Sequence, residues 1–362
     1  MRRCELVCVG AGPAGLSAAI EAARCGVEVV VFDENERPGG QLFKQIHKFF
    51  GSKEHRAQER GFHIGQSLLD EARQLGVEVV LKAVVLGIYE NRTMNVMMAD
   101  RIEEVKAERI LVATGASENM IPFPGWTLPG VIGAGAAQTM TNLHGVRPGN
   151  SILMVGSGNV GVVVSFQLLQ AGCQIAAVID AAPRISGYGV HSAKVARYGV
   201  PFFLSHTIKE ARGSDRVTGA TIVEVDSQWQ PVSGTEKTLE VDTICIAVGL
   251  NPMTQLLRMA GCRMASFSAL GGNVPVHDLD QQTSLSGIYV AGDVSGIEEA
   301  STAIIEGRIA GLAAARSLGY LEAPAFEQQR TEQLASMSGL RSGPYGEARR
   351  QNKEKLYAMM EG

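Results

Sequence analysis

The chain lacks any pair of neighbouring cysteines. Six cysteines, among 362 residues, stand at positions 4, 8, 25, 173, 245 and 262, none in a CxxC pair and none at metal-ligand spacing. A redox dithiol is thereby excluded and no metal site is expected; the thiols are expected to be inert core groups, with Cys4 and Cys8 on one face of the first strand. Lysine and arginine form no block, and the formal net charge of -4 argues against nucleic acid or an anionic membrane as the main partner, which leaves a small molecule. No apolar run reaches the roughly 18 residues that a membrane-spanning helix needs. The opening "MRRCELVCVGAG" enters a strand without the apolar core of a signal peptide, so a cytoplasmic location is expected.

Glycine, by contrast, is abundant. With 42 glycines, 45% hydrophobic and 19% charged residues, the composition suits a compact α/β protein with tight backbone turns, and the length predicts two domains. In "ELVCVGAGPAGLSAAIEAARCGVEVVVFDE" a buried strand, Leu6 to Val9, meets Gly10, Gly12 and Gly15. A helix of small residues opening with Pro13 and Ala14 leads to a second strand, Val27 to Phe32, which ends on Asp33 and Glu34. Gly10 makes the tight turn, Gly12 lets a pyrophosphate approach the backbone at the helix N-terminus, and Gly15 allows close helix-to-strand packing. Asp33 is placed to accept hydrogen bonds from an adenosine ribose. "VGSGNVG" repeats the pattern with Gly156, Gly158, Asn159, Val160 and Gly161, followed by a helix-like "VVVSFQLLQAG" and a strand "CQIAAVID" that ends on Asp180. The chain therefore carries two candidate nucleotide-binding units.

Three further stretches sharpen the reading: "PGGQL" (38–42), "ILVATGA" (110–116) and "TSLSGIYVAGDVSG" (283–296). Together with the glycine turns they resemble the pyridine nucleotide-disulfide oxidoreductases, flavoproteins with two dinucleotide-binding domains, in the compact thioredoxin-reductase-like form. That resemblance implies two Rossmann-like, three-layer α/β domains, the second inserted into the first. Residues 1–118 and 254–362 would form the FAD domain, and residues 119–253 the nucleotide domain. Carried over position by position, Gly10, Gly12, Gly15 and Asp33 would hold the ADP half of FAD, flanked by Pro13, Ala14 and Glu34. Gly40 and Gln41 would border the isoalloxazine, Ala113, Thr114 and Gly115 would complete the cofactor wall, and Gly292 and Asp293 would bind the ribitol. A helix starting near Ala300, Ser301 and Thr302 would aim its N–H groups at the flavin pyrimidine, where they favour the charge that appears on reduction.

Departures from the family are as informative. Disulfide-reducing relatives carry a CxxC after PGG or ahead of the second glycine turn; here "QLFKQIHKFFGS" and "GVIGAGAAQTMTNLHGV" have none, which removes a thiol relay. Val163 stands where nicotinamide-using relatives usually carry a Glu, which weighs against direct hydride delivery. Asp180 would repel a 2'-phosphate, so NADH rather than NADPH, or another adenine nucleotide, is expected at the second site. "PFPGWTLPGV" (122–131), "AVGLNPMTQLLRMAGC" (247–262) and "AGDVSGIEEASTAIIEGRIAGLAAARSLG" (291–319) are similar to the FAD α-type subunits of heteromeric proline, hydroxyproline, opine and sarcosine-type dehydrogenases and of hydrogen cyanide synthase.

That likeness implies an electron-transferring FAD subunit of a multi-subunit amino- or imino-acid dehydrogenase, partnered by an iron-sulfur protein and a second flavoprotein subunit. The tail from Tyr320 has no cysteine, so an iron-sulfur centre would sit on another chain. A stand-alone NADH-dependent FAD reductase and a scaffold subunit with structural nucleotide sites are the alternatives. His47, His55 and His63 read as surface or capping groups that could also flank the flavin, as could Lys44. The tail from Phe326 to Gly362 reads as two helices around a Ser-Gly-Pro turn, which either clamp a partner or finish the fold.

Overall fold

The computed structural model describes residues 1–49 and 52–360, without the side chains of Pro344 and Tyr345. Phe50 and Gly51, beyond PGGQL, and Glu361 and Gly362, at the tail's end, lie outside the described residues. The chain divides into two compact units, Met1–Ser117 with Asn251–Gly362, and Glu118–Leu250.

The first unit is organised by the strand Arg2–Val9, which pairs in parallel with Val29–Phe32 on one side and with the long strand Arg101–Val112 on the other. Val29–Phe32 is buried at all four positions, as expected of an apolar strand covered on both faces. Arg101–Val112 joins the parallel and antiparallel parts of one seven-stranded sheet. Its charged first half, "RIEEVK", pairs antiparallel with Thr93–Met98, and its apolar end, Ile110 to Val112, pairs in parallel with Ile288–Val290. Leu6, Cys8, Val29 and Val31 face helices Pro13–Arg24, Gly61–Gln74 and Ala300–Ser317, whereas Val7, Val9, Val30 and Phe32 face the antiparallel strands through Ile88, Met94 and Val96.

The strict alternation fails at one point. Cys4 packs with Val7 and Val9, while Cys8 packs with Leu6 on the opposite face. The two thiols were expected on one face, but the phase of burial changes near Glu5, and near Glu108 on the paired strand, where Val105 and Ala107 share a cluster with Ile110 and Val112. Helices Pro13–Arg24 and Ala300–Ser317 approach each other at glycine. A Cβ at Gly307 would lie 2.2 Å from the Ala14 carbonyl oxygen, and one at Gly311 would lie 2.3 Å from that of Ala18. Only glycine permits this backbone contact, and it seats the start of the second helix beside the first glycine turn.

The second unit repeats the plan. Its parallel sheet runs Phe202–Leu204, Gln174–Asp180, Ser151–Val155, Thr243–Ile246, Val131–Gly133. Ile152, Met154 and Cys245 face helices Ala134–His144, Asn159–Gln170 and Gly189–Arg197. Leu153, Val155, Ile244 and Ile246 face a three-stranded antiparallel sheet, His206–Arg212, Gly219–Glu224 and Lys237–Leu239. Both units are thus three-layer α/β folds on a parallel sheet. The layer opposite the helices is made of antiparallel strands in each, a separate sheet in the second unit and a continuation of the seven-stranded sheet in the first, where a doubly wound domain would place more helices. Among the described residues no helix is long and apolar enough to cross a membrane.

Candidate functional site

The two glycine turns have the same geometry. Gly10 and Gly156 have φ of +107° and +110°, and a Cβ on either would meet the carbonyl oxygen of Ala113 (2.4 Å) or Ala247 (2.2 Å). A Cβ at Gly15 would lie 1.9 Å from the Gly10 oxygen, and one at Gly161 would lie 2.1 Å from the Gly156 oxygen. Gly12 differs: its φ is -76°, open to any residue, and nothing lies within 4 Å of its hypothetical Cβ. Steric demand from the protein therefore explains Gly10 and Gly15. The open space at Gly12, at the N-cap of a helix with no side-chain cap, suits an anion. Gly158 is similarly open, its nearest neighbour being Ser186 Oγ at 3.8 Å. Asn159 accepts the Tyr188 N–H through Oδ1 at 2.8 Å, and Val160 is exposed.

Asp33 and Asp180 are engaged by the chain itself. Asp33 is buried; its Oδ2 accepts the Ala11 N–H at 2.7 Å, and its Oδ1 accepts the backbone and side-chain N–H groups of Asn35 at 2.8 and 2.9 Å. In the second unit Asp180 Oδ2 accepts the Ser157 N–H (2.7 Å) and hydroxyl (2.5 Å), and its Oδ1 accepts the Ala182 N–H (2.9 Å). Each acid staples the glycine turn to the end of the second strand. The exposed neighbour of Asp33 is Glu34.

Around the first turn, the PGG loop and the loop at Gly292 close in. Gly39 donates its N–H to the Ala11 oxygen at 2.7 Å, and a Cβ at Gly40 would lie 3.0 Å from Gly12 Cα. Gln41 is exposed beside it. Ala113 donates to the Val9 oxygen (2.8 Å), Thr114 donates its hydroxyl to the Met253 oxygen (2.8 Å), and Gly115 turns with φ +74°. A Cβ at Gly292 would lie 3.0 Å from Ala14 Cβ. Helix Ala300–Ser317 begins without a side-chain cap, with Ser301 and Thr302 buried at its first turn. Half-buried Asp293 follows Gly292; desolvation and the nearby Glu306, Glu299 and Glu298 push its carboxyl up to about 6, against a weak bond from the Glu298 N–H.

Behind Asp293 lies a buried network that sequence patterns did not bring together. Glu306 accepts the Gly292 N–H (2.9 Å) and the Ser295 hydroxyl (3.0 Å) on Oε2, and Arg341 Nη2 (2.7 Å) and Lys353 Nζ (2.8 Å) on Oε1. Lys353 Nζ also donates to the Ser295 oxygen (3.1 Å) and Oγ (2.9 Å). Arg341 grips both oxygens of Glu298 at 3.0 and 2.7 Å and donates to the Tyr357 hydroxyl at 3.1 Å. Glu306 and Lys353 are 2% and 1% exposed, so neither can lean on solvent. Burial alone would push Glu306 up, but Lys353 and Arg341 hold it well below the usual carboxylate range. The one sequence signal was Glu306 itself, a lone charge on the otherwise apolar face of "STAIIEGRIAGLAAA".

Arg341 and Lys353 belong to the tail, whose helices Ala323–Leu340 and Gly343–Ala358 bury Phe326, Met337 and Leu356. The tail thus completes the first unit. His55 bridges the Ser52 and Ser336 hydroxyls at 2.9 and 3.0 Å, His47 stacks on Phe49, and His63 lies against Phe62. All six cysteines are free, and five are buried. Desolvation raises their thiols, Cys8 and Cys245 to about 12, so none is a thiolate at neutral pH. Among the described residues no group of three His, Cys, Asp or Glu side chains could hold a metal ion.

Residues 4–307 match the family described as pyridine nucleotide-disulphide oxidoreductase. An opine oxidase subunit of Agrobacterium tumefaciens is 32% identical over 87% of this chain, which spans 66% of that protein. The HcnB subunit of hydrogen cyanide synthase from Pseudomonas aeruginosa is 32% identical over 84%, with 69% of its own length covered. Against the alpha subunit of sarcosine oxidase from Rhizobium meliloti, 27% identical, the chain covers 31%. The fold is similar to that of T. acidophilum thioredoxin reductase (TM-score 0.72, 22% identity, 88% of this chain and 99% of that one) and of L-proline dehydrogenase from P. horikoshii (0.68, 21%, 91% and 59%). With its two stapled glycine turns on parallel sheets, the chain belongs to the pyridine nucleotide-disulphide oxidoreductase family, a family of FAD-dependent oxidoreductases.

Proposed function

We propose that this chain is the FAD-carrying, electron-transferring subunit of a multi-subunit amino- or imino-acid dehydrogenase. The observation that carries the reading is the gathering, within one unit, of the open helix N-terminus at Gly12, the PGG loop and the Gly292–Asp293 loop, in a chain whose thiols are separated and protonated. Bound FAD would supply two-electron chemistry; the protein's part is to hold it and bias its charge. The amides after Gly12 would take the pyrophosphate. Glu34, exposed where Asp33 is buried and already accepts three N–H bonds, is the better placed of the two acids to meet the adenosine ribose. Asp293 would take the ribitol, and the uncapped start of helix Ala300–Ser317 would stabilise negative charge on the reduced ring.

Without a dithiol, electrons would leave the flavin directly, in this reading through its edge to another chain. The relatives named as subunits of opine oxidase and hydrogen cyanide synthase support an assembly. In it a second flavoprotein would oxidise the substrate and an iron-sulfur protein would link the two. Residues 1–118 with 254–362 would be the FAD domain and 119–253 the second nucleotide domain. That second domain supports one other reading, an NADH-dependent FAD reductase, because its glycine turn is as complete as the first. Ala181 and Ala182 after Asp180 offer no cation for a 2'-phosphate, which favours NADH or another adenine nucleotide. Purification at native expression separates the readings. A relay subunit brings a second flavoprotein and an iron-sulfur chain with it, whereas a stand-alone reductase comes alone and oxidises NADH.

A further inference from the structure

The charged side chains bonded to Gly292, Ser295 and Glu298 lead back to the C-terminal tail. Gly292 and Ser295, on either side of Asp293, are both bonded to Glu306, and Ser295 is bonded again by Lys353. Glu298, whose N–H points at Asp293 Oδ1 from 3.4 Å, is held by two bonds from Arg341. The ends of the loop are thus fixed by two carboxylates on the core side and two cations from the tail.

Stability alone does not account for this arrangement, since replacing a buried ion cluster by apolar side chains of similar volume is often neutral or stabilising. Its location gives it a second consequence. Two cations and two anions cancel, so the network adds no net charge beside Asp293 and the start of helix Ala300–Ser317, and any single deletion unbalances the field there. We propose that Glu306, Glu298, Arg341 and Lys353 are positioning residues of the flavin site: through them the tail sets the geometry of the Gly292–Ser295 loop and the reduction potential of the bound flavin. This rests on the FAD reading above.

The test compares purified full-length variants by two readouts, FAD dissociation constant by fluorescence titration of apoprotein and midpoint potential by equilibration with a reference dye. Lys353→Met removes a cation while Arg341 keeps Glu306 charged, and it shifts the potential to more negative values. Glu306→Gln removes an anion and shifts it to more positive values. The double variant restores the charge balance and returns the potential toward that of the wild type. Ser295→Ala removes the hydroxyl's bonds to Glu306 and Lys353 without changing charge, leaving those made by the Gly292 N–H and the Ser295 carbonyl oxygen; it loosens the loop, weakens FAD about tenfold and leaves the potential unmoved. This last variant tests the loop-positioning half of the proposal even where the charge variants fold poorly, and the potentials of the charge variants test the other half.

A wild-type chain that takes up no FAD would overturn the flavin reading and this inference with it. Wild-type FAD binding, with no variant changed in affinity or potential, would overturn this inference alone. Shifts of one sign in both charge variants, without recovery in the double variant, would also refute it, because that pattern marks general loosening rather than charge.

Discussion

Replacing Gly12 and Gly15 by alanine separates ligand demand from packing demand. A Cβ at Gly15 would sit 1.9 Å from the Gly10 carbonyl oxygen, a backbone atom that can yield only if helix Pro13–Arg24 moves off the strand. Overpacking of this kind costs about 1–3 kcal/mol. At Gly12 the backbone already has φ -76° and ψ -176°, and no atom lies within 4 Å of the new methyl. The smaller unfolded-state entropy of alanine favours folding by about 0.4–1 kcal/mol, and its poorer N-capping offsets much of that, so stability changes by less than about 1 kcal/mol. The methyl does occupy the room through which a pyrophosphate would reach the helix N-terminus. Losing one hydrogen bond to a charged group costs about 1.5–3 kcal/mol, or roughly 10–100-fold in FAD affinity. Urea unfolding and flavin titration of apoprotein measure the two quantities separately. Gly158→Ala, in the other unit, serves as the control and leaves FAD affinity unchanged. If Gly12→Ala bound FAD like the wild type, the open space at Gly12 would not be the anion site.

The paired acids give a second test. Glu34→Ala weakens FAD about tenfold with little effect on urea unfolding, as for an exposed residue, whereas Asp33→Asn destabilises the fold because Ala11 loses its charged acceptor. Gly311→Ala forces a methyl to within 2.3 Å of the Ala18 oxygen and costs about 1–3 kcal/mol in urea unfolding. Burial and the nearby Lys353 lower His277 from 6.5 to about 3, so this histidine is neutral when folded. Its contribution is complete above pH 6.5 and is lost as pH falls toward 3. Asp293, raised from 3.8 to about 6, works in the opposite sense, its contribution being lost as pH rises through 6. The apoprotein therefore loses urea resistance between pH 7 and 5, and His277→Leu abolishes or reverses that slope; an unchanged slope would mean that His277 is not the group responsible.

What could be read in the sequence was whatever backbone geometry imposes on residue choice. Gly10, Gly15, Gly156 and Gly161 are glycine because carbonyl oxygens crowd their Cβ positions, and that demand repeats at fixed spacing. Strand phase was legible for the same reason, except near Glu5, where the phase change separates Cys4 from Cys8 without a mark in composition. Residue type placed an acid after each second strand but did not say where its carboxylate turns, so the bonds by which Asp33 and Asp180 staple the glycine turns could not be read from the sequence. The network of Glu298, Glu306, Arg341 and Lys353 was hidden because its members come from three helical segments and a loop far apart in the chain. In a polar tail a buried lysine looks like any surface lysine until the helix that carries it is docked.

The most direct test of the central claim is anaerobic mixing of the FAD-loaded chain with NADH, following the flavin absorbance in a stopped-flow instrument. Val163, where nicotinamide-using relatives usually carry a Glu, leads us to expect no bleaching on the timescale of turnover, with reduction only when partner subunits and an amino- or imino-acid substrate are added. Rapid bleaching by NADH alone would contradict the account and make this chain a reductase in its own right.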